Sequence, residues 1–245
     1  MLLRPEILNI PQSHGADINP TASSRRKNLL RKRAFYALYC HKELSVPALA
    51  RELMISIPTA GRLMQSLEEE GLAVWVGEGP SQGGRKPRIY RIDGSTFYTL
   101  AVDLSRNSVR LALFSLEDRS LSAAHEIPVK ISDSEEYIRN VQKAIENYLE
   151  GSGIAKKCIV GTGVSIPGLL NPESGESYTH FPSLSKPLPV LLSNLTGLPV
   201  MTDNDARLVA LGESAFGSAK GKRNALCLLA DEGVGLGIIL NGQVY

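Results

Sequence analysis

The first third of the chain alternates apolar and polar positions with the spacing of three short helices. Apolar residues recur at intervals of three and four, which places them on one face of a helix. The predicted helices cover about residues 28–41, 45–53 and 56–71. Their apolar stripes are Leu30, Ala34, Ala37 and Leu38, then Val46, Leu49, Ala50 and Leu53, then Ile57, Ala60, Met64 and Leu67. Ser45 and Ser56 are suitable caps for the second and third helices, and Gly71 is a suitable end for the third. A tight turn between the last two helices is typical of a helix-turn-helix.

Two strand-like segments follow the third helix, and a glycine-rich basic segment joins them. Leu72–Val76 and Arg88–Ile92 are rich in β-branched and aromatic residues, as strands are. Residues 77–87 contain four glycines together with Arg85 and Lys86. Glycine allows a turn to approach another molecule closely. The pattern predicts a β-hairpin whose tip is positively charged.

From Phe97 onward, strands alternate with longer helices, which is the pattern of an α/β fold. The predicted strands are 98–103, 109–114, 158–166, 200–202, 225–230 and 236–240. One predicted helix runs from Glu135 to Glu150 and ends at Gly151, and another runs from the Asp203–Asp205 segment to about Phe216. Residues 1–24, with three prolines and a glycine, are predicted to be a flexible arm.

Charge is divided unevenly between these two regions. Residues 1–93 contain 14 Lys or Arg and 9 Asp or Glu, whereas residues 94–245 contain 13 and 16. A basic N-terminal third on an acidic body is typical of a DNA-binding head on a ligand-binding body. A solvated basic face would give the same count, and charge alone does not separate the two.

Cysteines and hydropathy bear on the cellular compartment. The cysteines Cys40, Cys158 and Cys227 are odd in number and scattered, which favours reduced thiols in the cytoplasm over a disulfide framework. No apolar run has the length of a membrane span, and the first residues lack a secretory pattern. We therefore expect a cytoplasmic protein.

Seven residues are candidates for contact with DNA. The third helix directs Ser56, Thr59, Arg62 and Gln65 away from its apolar stripe, toward a major groove. The hairpin adds Arg85, Lys86 and Arg88, which can neutralise phosphates or enter a minor groove. Two alternatives remain: a three-helix bundle with no role in nucleic-acid binding, and a module that docks on another protein.

Several motifs in the chain, in their order and spacing, resemble the ROK family of sugar kinases and sugar-responsive repressors. They are the wing segment Gly77–Pro87, Gly161–Gly168, Thr202–Ala206, Leu211–Glu213 with Phe216–Gly217, and Gly233–Gly242. The resemblance extends from about residue 25 to residue 245, and the wing favours the regulator branch that includes NagC and the xylose repressor. It implies a winged helix-turn-helix followed by an actin-like (ribonuclease H-like) α/β domain with sugar between two lobes. The implied divisions are an arm (1–24), a DNA-binding domain (25–93), a first lobe (94–200) and the start of a second lobe (201–245).

The resemblance also implies where a sugar would bind. Asn204 and Asp205 match the family's sugar-contacting pair, and Asp205 matches the general base of the kinases. Pro167 and Gly168 match a turn that approaches the sugar. Asn and Asp also favour helix N-caps on their own account, and the two roles are compatible.

Both phosphate loops depart from the kinase pattern. Ser105 and Arg106 follow Asp103 where kinases have paired glycines, and Asp231 and Glu232 stand where kinases have Gly-Thr. Side chains in the first loop fill the space beside a phosphate, and carboxylates in the second repel it. We therefore expect no catalytic residue and no ATP-dependent reaction. The alternative is a sugar kinase with an accessory DNA-binding head.

The resemblance leads to an expected role. We expect a regulator, most simply a repressor, of carbohydrate-metabolism genes that binds operator DNA and a sugar or amino-sugar effector as a homodimer or tetramer. The family's remaining sugar ligands and its cysteine-rich structural zinc motif would follow Tyr245, so we expect no metal or cofactor site within these residues and a second lobe that is incomplete.

Overall fold

The protein consists of two compact units. The structure, a computed structural model, describes residues 21–80, 86–231 and 233–245. In the described chain, the N-terminal unit comprises residues 21–98 and the turn 115–119, and the C-terminal unit comprises residues 99–114 and 120–245. None of the helices in these ranges is both long enough and apolar enough to cross a membrane.

Three helices and a three-stranded antiparallel sheet form the N-terminal unit. In chain order they are α1 (Ala22–His41), β1 (Glu43–Ser45), α2 (Val46–Leu53), α3 (Ile57–Glu69), β2 (Ala73–Glu78) and β3 (Arg88–Ile92). Strand β3 lies between β1 and β2. The largest fully buried side chains of this unit are Leu38, Leu49, Met64, Leu67 and Leu72, which come from α1, α2, α3 and the start of the hairpin.

Local hydrogen bonds set the tight turn between α2 and α3. The Ser45 hydroxyl accepts a hydrogen bond from the backbone N–H of Ala48 (3.3 Å), and the Ser56 hydroxyl accepts one from Thr59 (3.3 Å). Both predicted N-caps are therefore confirmed. Met54 ends α2 in the left-handed region (φ 53°), so α3 starts only a few residues later.

Two predictions for this unit are wrong. The first helix begins at Ala22, capped by Thr21, so residues 22–24 are helical and not part of an arm. Ile57 was predicted to be buried, but its side chain is 57% exposed and Leu63 is buried in the stripe instead. Ile57 occupies the first turn of α3, which lies ahead of the packed part of that helix.

The C-terminal unit contains two sheets. The first contains β4 (Tyr98–Leu104), β5 (Ser108–Ser115), β6 (His125–Pro128), β7 (Ile159–Ile166) and β8 (Val200–Asn204), in the order β6-β5-β4-β7-β8. The second contains β9 (Ala225–Ala230), β10 (Val234–Leu240) and β11 (Gln243–Val244), with β10 in the middle. The helices are α4 (Glu135–Ser152), α5 (Leu188–Thr196) and α6 (Asp205–Ala215), and a 3₁₀ turn covers Lys156–Cys158.

The α/β character and most elements agree with the sequence pattern, with local differences. Helix α4 passes through Gly151 and ends at Gly153, whose φ of 71° suits glycine. The expected lobe boundary after residue 200 falls inside β8, which pairs with β7 in parallel along its length, and the second sheet begins only at Ala225. The sequence did not predict β1, β6, α5 or β11.

Candidate functional site

Four residues at the start of α3 and along it were predicted to contact DNA. They differ in whether their side chains already form hydrogen bonds within the protein. The hydroxyls of Ser56 and Thr59 lie 2.9 Å apart and share the capping of the helix. The side-chain amide of Gln65 donates a hydrogen bond to Glu69 (2.9 Å). Arg62 is exposed and forms no ion pair with the described residues. Arg62 is therefore the member of this group with the most available donors.

The hairpin places two further cations on the surface. Lys86 and Arg88 are exposed, and neither forms an ion pair within the part of the chain that the structure describes. The backbone N–H of Gly79 donates to the carbonyl of Pro87 (2.8 Å), which continues the hairpin pairing beyond β2 and β3. The prediction for Arg85 lies outside the described residues.

A cavity of about 690 Å³ lies within the C-terminal unit and brings the predicted sugar-binding residues together. Its lining includes Pro167 and Gly168, after β7, and Asn204 and Asp205, at the junction of β8 and α6. Because β7 and β8 are parallel, their carboxyl ends lie at the same edge of the sheet. A cavity at this edge with convergent polar groups is the usual form of a small-molecule site.

Gly168 and Asn204 form one rigid corner of the cavity. The side-chain amide of Asn204 donates to the carbonyl of Gly168 (2.9 Å) and to the carboxylate of Asp205 (2.8 Å). Its oxygen accepts from the backbone N–H of Arg207 (3.0 Å), which caps α6. Gly168 has φ 84°, and an added Cβ would lie 2.7 Å from the Cβ of Thr179. Asn204 therefore holds the corner, and only its second oxygen lone pair is available to a ligand.

Asp205 presents a carboxylate to the cavity from the first turn of α6. One oxygen accepts from the backbone N–H of Ala206 (2.7 Å) and from Asn204. The described residues donate no hydrogen bond to the other oxygen, which can accept from a ligand hydroxyl. The start of a helix also stabilises negative charge.

An ion pair occupies the region of the first predicted phosphate loop. Arg110, on β5, donates to the carboxylate of Asp103 through both Nε (3.0 Å) and Nη2 (2.6 Å). This hydrogen bond raises the pKa of Arg110. The hydroxyl of Ser105 also donates to Asp103 (3.3 Å). Sequence reasoning missed Arg110, because its pairing depends on the register of two strands and no local motif signals it.

Three further polar residues in the lining are Arg106, His180 and Asp231. Arg106 reaches toward the second predicted phosphate loop, since a Cβ on Gly233 would lie 3.8 Å from its Nη2. Burial lowers the pKa of His180, the charge of Arg106 lowers it further, and Asp205 acts in the opposite direction. A neutral imidazole at pH 7 can both donate to and accept from hydroxyl groups. His180 was not predicted, and Glu232 lies outside the described residues.

The resemblance implies a structural zinc motif after Tyr245, and that expectation stays a prediction. The described residues contain no cluster of three or more His, Cys, Asp or Glu side chains able to hold a metal ion. Cys40, Cys158 and Cys227 are all free thiols.

Residues 99–245 match the sequence profile of the ROK family. The chain belongs to the ROK family. This match covers more than half of the 245 residues and contains the whole cavity. The residues that line the cavity therefore lie within the segment that matches the family.

Both branches of the ROK family resemble this chain. A putative xylose repressor of Caldicellulosiruptor sp. (strain Rt8B.4) is 26% identical over 209 residues, which are 84% of this chain and 52% of that protein. The crystal structure of a ROK family transcriptional regulator, a homologue of the E. coli MLC protein, has a TM-score of 0.72 at 22% identity and covers 89% of this chain and 56% of its own. The ROK hexokinase from Thermus thermophilus has a TM-score of 0.50 at 27% identity and covers 61% of this chain and 49% of its own.

The two structural matches differ in how much of the chain they cover. The hexokinase match is about as long as residues 99–245, whereas the regulator match also includes much of the chain before residue 99. The α/β fold is shared with ROK regulators and with actin-like sugar kinases. This chain spans about half the length of the relatives it matches.

Proposed function

We propose that this chain is a sugar-responsive, DNA-binding transcription regulator that represses carbohydrate-metabolism genes. The observation that carries the proposal is the similarity to a ROK regulator and to a xylose repressor, which extends well beyond the cavity-bearing region. The N-terminal unit then acts as a winged helix-turn-helix, with α3 as the recognition helix and the β2–β3 hairpin as the wing. Arg62, Lys86 and Arg88 are cations without ion-pair partners in the described chain, and contact with phosphate accounts for that arrangement.

The cavity is the effector site in this proposal. The free oxygen of Asp205 and the neutral imidazole of His180 bind hydroxyls of a sugar or amino sugar, and the Gly168–Asn204 corner fixes the backbone against which the sugar lies. The proposed divisions are a winged head, a first lobe and the start of a second lobe, with two changes: the head begins at Ala22 instead of residue 25, and the first lobe extends to include β8.

The same cavity is proposed to sense sugar without phosphorylating it. The ROK kinases need an unobstructed first loop beside the phosphates, and here Arg110 and Ser105 occupy the carboxylate of Asp103. Asp231 adds a negative charge where a polyphosphate would lie. Asp205 retains a free oxygen in the position of the kinase base, so phosphoryl transfer is the rival that an experiment must exclude.

Binding to a two-fold symmetric operator follows from the regulator proposal. A homodimer or tetramer would present two heads to half-sites about 34 Å apart, or a multiple of that distance. Operator DNA and a small sugar are the proposed partners. We place the protein in the cytoplasm, where both are found.

The first experiment measures DNA binding by the full chain. A duplex is selected from a random-sequence pool, and its affinity is measured over a series of salt concentrations. We expect Arg62→Ala and Arg88→Ala each to weaken binding and to reduce the salt slope by about one. Lys222→Ala, which removes an exposed charge from the C-terminal unit, is the matched control and should change neither quantity. Sugar-dependent ADP formation without DNA affinity would favour the kinase.

A further inference from the structure

Trp75 holds an unusual position in the β2–β3 hairpin. Its partner in the ladder is Tyr90, whereas the partner of Gly77 is Ile89, so the register shifts by one residue between Trp75 and Gly77. A bulge of this kind re-aims side chains and leaves a backbone group unpaired. The indole N–H of Trp75 donates to the carbonyl of Gly77 (2.7 Å). The ring is therefore held by its own strand while 47% of the side chain stays exposed.

The exposed ring carries the guanidinium of Arg88. The central carbon of that group lies 5.4 Å from the centroid of the Trp75 ring, within the range of a cation–π contact. The side chain of Tyr90, which is almost fully buried, interacts with Arg88 as well. The negative charges of Glu68 and Glu78 act on the guanidinium from a distance, but no carboxylate forms an ion pair with it in the described chain. Its charge and most of its donors remain available to another molecule.

Two features indicate that the Trp75 ring does more than stabilise the hairpin. A tryptophan that packed in the core would be buried, as Leu72 just before β2 and Tyr90 on β3 are. An arginine side chain also loses rotamer freedom when it binds another molecule. When the guanidinium is already stacked on a ring, part of that entropy cost has been met before binding. The arrangement therefore prepares Arg88 for contact with an anion.

We infer that Trp75 is a positioning residue, whose ring, held by the Gly77 carbonyl, stacks on Arg88 and presents its guanidinium to the phosphate backbone of DNA. The inference rests on the proposed DNA-binding function and deepens it, because it adds a neutral aromatic residue to an interface otherwise assigned to polar and charged side chains. Trp75 does not touch the DNA bases in this arrangement.

A double-mutant cycle on the full chain tests the inference. The probe is the duplex selected with the wild-type protein, and affinity is measured at several salt concentrations. Trp75→Leu should weaken binding about two- to five-fold, the equilibrium effect of an exposed cation–π contact. It should also reduce the salt slope, as Arg88→Ala does by about one. Trp75→Phe keeps an aromatic face and should recover most of the lost affinity.

The Arg88→Ala background distinguishes positioning from direct contact. In that background Trp75→Leu should have no further effect, since no guanidinium remains to be positioned. An equal loss in both backgrounds would mean that the ring touches DNA itself or holds the hairpin together, and either result overturns the inference. Val76→Ala, a change at the adjacent exposed residue of β2, should leave affinity unchanged.

The inference and the proposed function fail in different ways. If the wild-type chain binds the duplex and Trp75→Leu binds it equally well, the positioning role is wrong and the regulator proposal stands. If the wild-type chain binds no duplex even at low salt, both are wrong. Thermal unfolding of each variant is measured alongside, and a loss of affinity that tracks a loss of folded protein also overturns the positioning role.

Discussion

At the scale of single residues, the cavity depends on a backbone position that only glycine suits. Gly168 combines φ 84° with a close approach to Thr179, whose hydroxyl accepts from the backbone N–H of Leu169 (2.9 Å). A side chain at residue 168 would be strained by the positive φ and would clash with Thr179. The hydrogen bond from Asn204 to the carbonyl of residue 168 could then not form in its present geometry.

Gly168→Ala should therefore destabilise the C-terminal unit by about 1–3 kcal/mol. The control is Gly151→Ala, because Gly151 lies within helix α4 with open space around it, and alanine there should be neutral or stabilising by up to about 1 kcal/mol. Chemical denaturation of both variants checks the prediction. Equal stability of the two variants would contradict the strained corner.

A buried tyrosine gives the protein a predictable response to alkali. Tyr137, on α4, is stacked on Phe181 at 5.7 Å, and its hydroxyl is buried with no hydrogen-bond partner in the described chain. Burial raises the pKa of Tyr137 above its ordinary value. Because the folded-state pKa exceeds that of the unfolded chain, about 10, the neutral tyrosine favours folding below pH 10 and this contribution falls as the pH rises further.

Tyr137→Phe should leave the free energy of unfolding at pH 7 unchanged or raise it by up to about 1 kcal/mol, since no hydrogen bond is lost. Between pH 10 and 12 the variant should lose less stability than the wild type. Tyr178→Phe, at an exposed position, serves as the control and should follow the wild-type curve. Urea unfolding at a series of pH values measures all three proteins.

At the scale of elements, a buried ion pair joins two helices of the N-terminal unit. The guanidinium of Arg31 on α1 pairs with the carboxylate of Glu70 just after α3, and both side chains are more than 90% buried. Ser66 also donates to Glu70 (2.9 Å). Removal of Glu70 takes the carboxylate away from a buried guanidinium, which costs more than removal of both partners.

Glu70→Ala should destabilise the N-terminal unit by about 3–5 kcal/mol. Replacement of both partners by apolar residues, Arg31→Met with Glu70→Leu, should be much less harmful. Glu69→Ala, at the neighbouring exposed position, is the control and should cost less than about 1 kcal/mol. A double variant less stable than Glu70→Ala would contradict the role of the ion pair.

The sequence predicted elements where a local pattern determines them. The caps at Ser45 and Ser56 and the strands β3 and β9 lie where predicted, because apolar spacing and turn chemistry act over a few residues. Helix α5 and strands β6 and β11 were missed, since they are short and their stability comes from packing and from pairing with a neighbouring strand. The exposure of Ile57 also depends on which part of α3 meets the other helices.

The candidate cavity was partly predictable for the same physical reason. Pro167, Gly168, Asn204 and Asp205 occur in motifs, and the structure brings all four to one cavity. Arg110 and His180 belong to no motif. Their places follow from the register of β4 and β5 and from the loop after β7, which a single sequence does not determine.

At the scale of the whole molecule, the proposal joins a DNA-binding head to a cavity that senses sugar. The chain belongs to the ROK family, and its similarity to a putative xylose repressor covers 84% of the chain. A ligand alters DNA affinity only by the difference in its own affinity for the two states of the protein. Regulation therefore requires measurable coupling, not merely two binding sites.

The most direct test is the ratio of DNA affinities with and without each sugar of a panel, measured on the full chain and on Asp205→Asn. The account predicts that at least one sugar changes the wild-type affinity by about 5- to 150-fold, the usual range of coupling. The ratio for Asp205→Asn should be close to one, because the amide oxygen keeps the bonds to Asn204 and Ala206 while the free oxygen is replaced by an NH2 group, which donates and cannot accept. A wild-type ratio of one for every sugar, together with sugar-dependent ADP formation, would contradict the account.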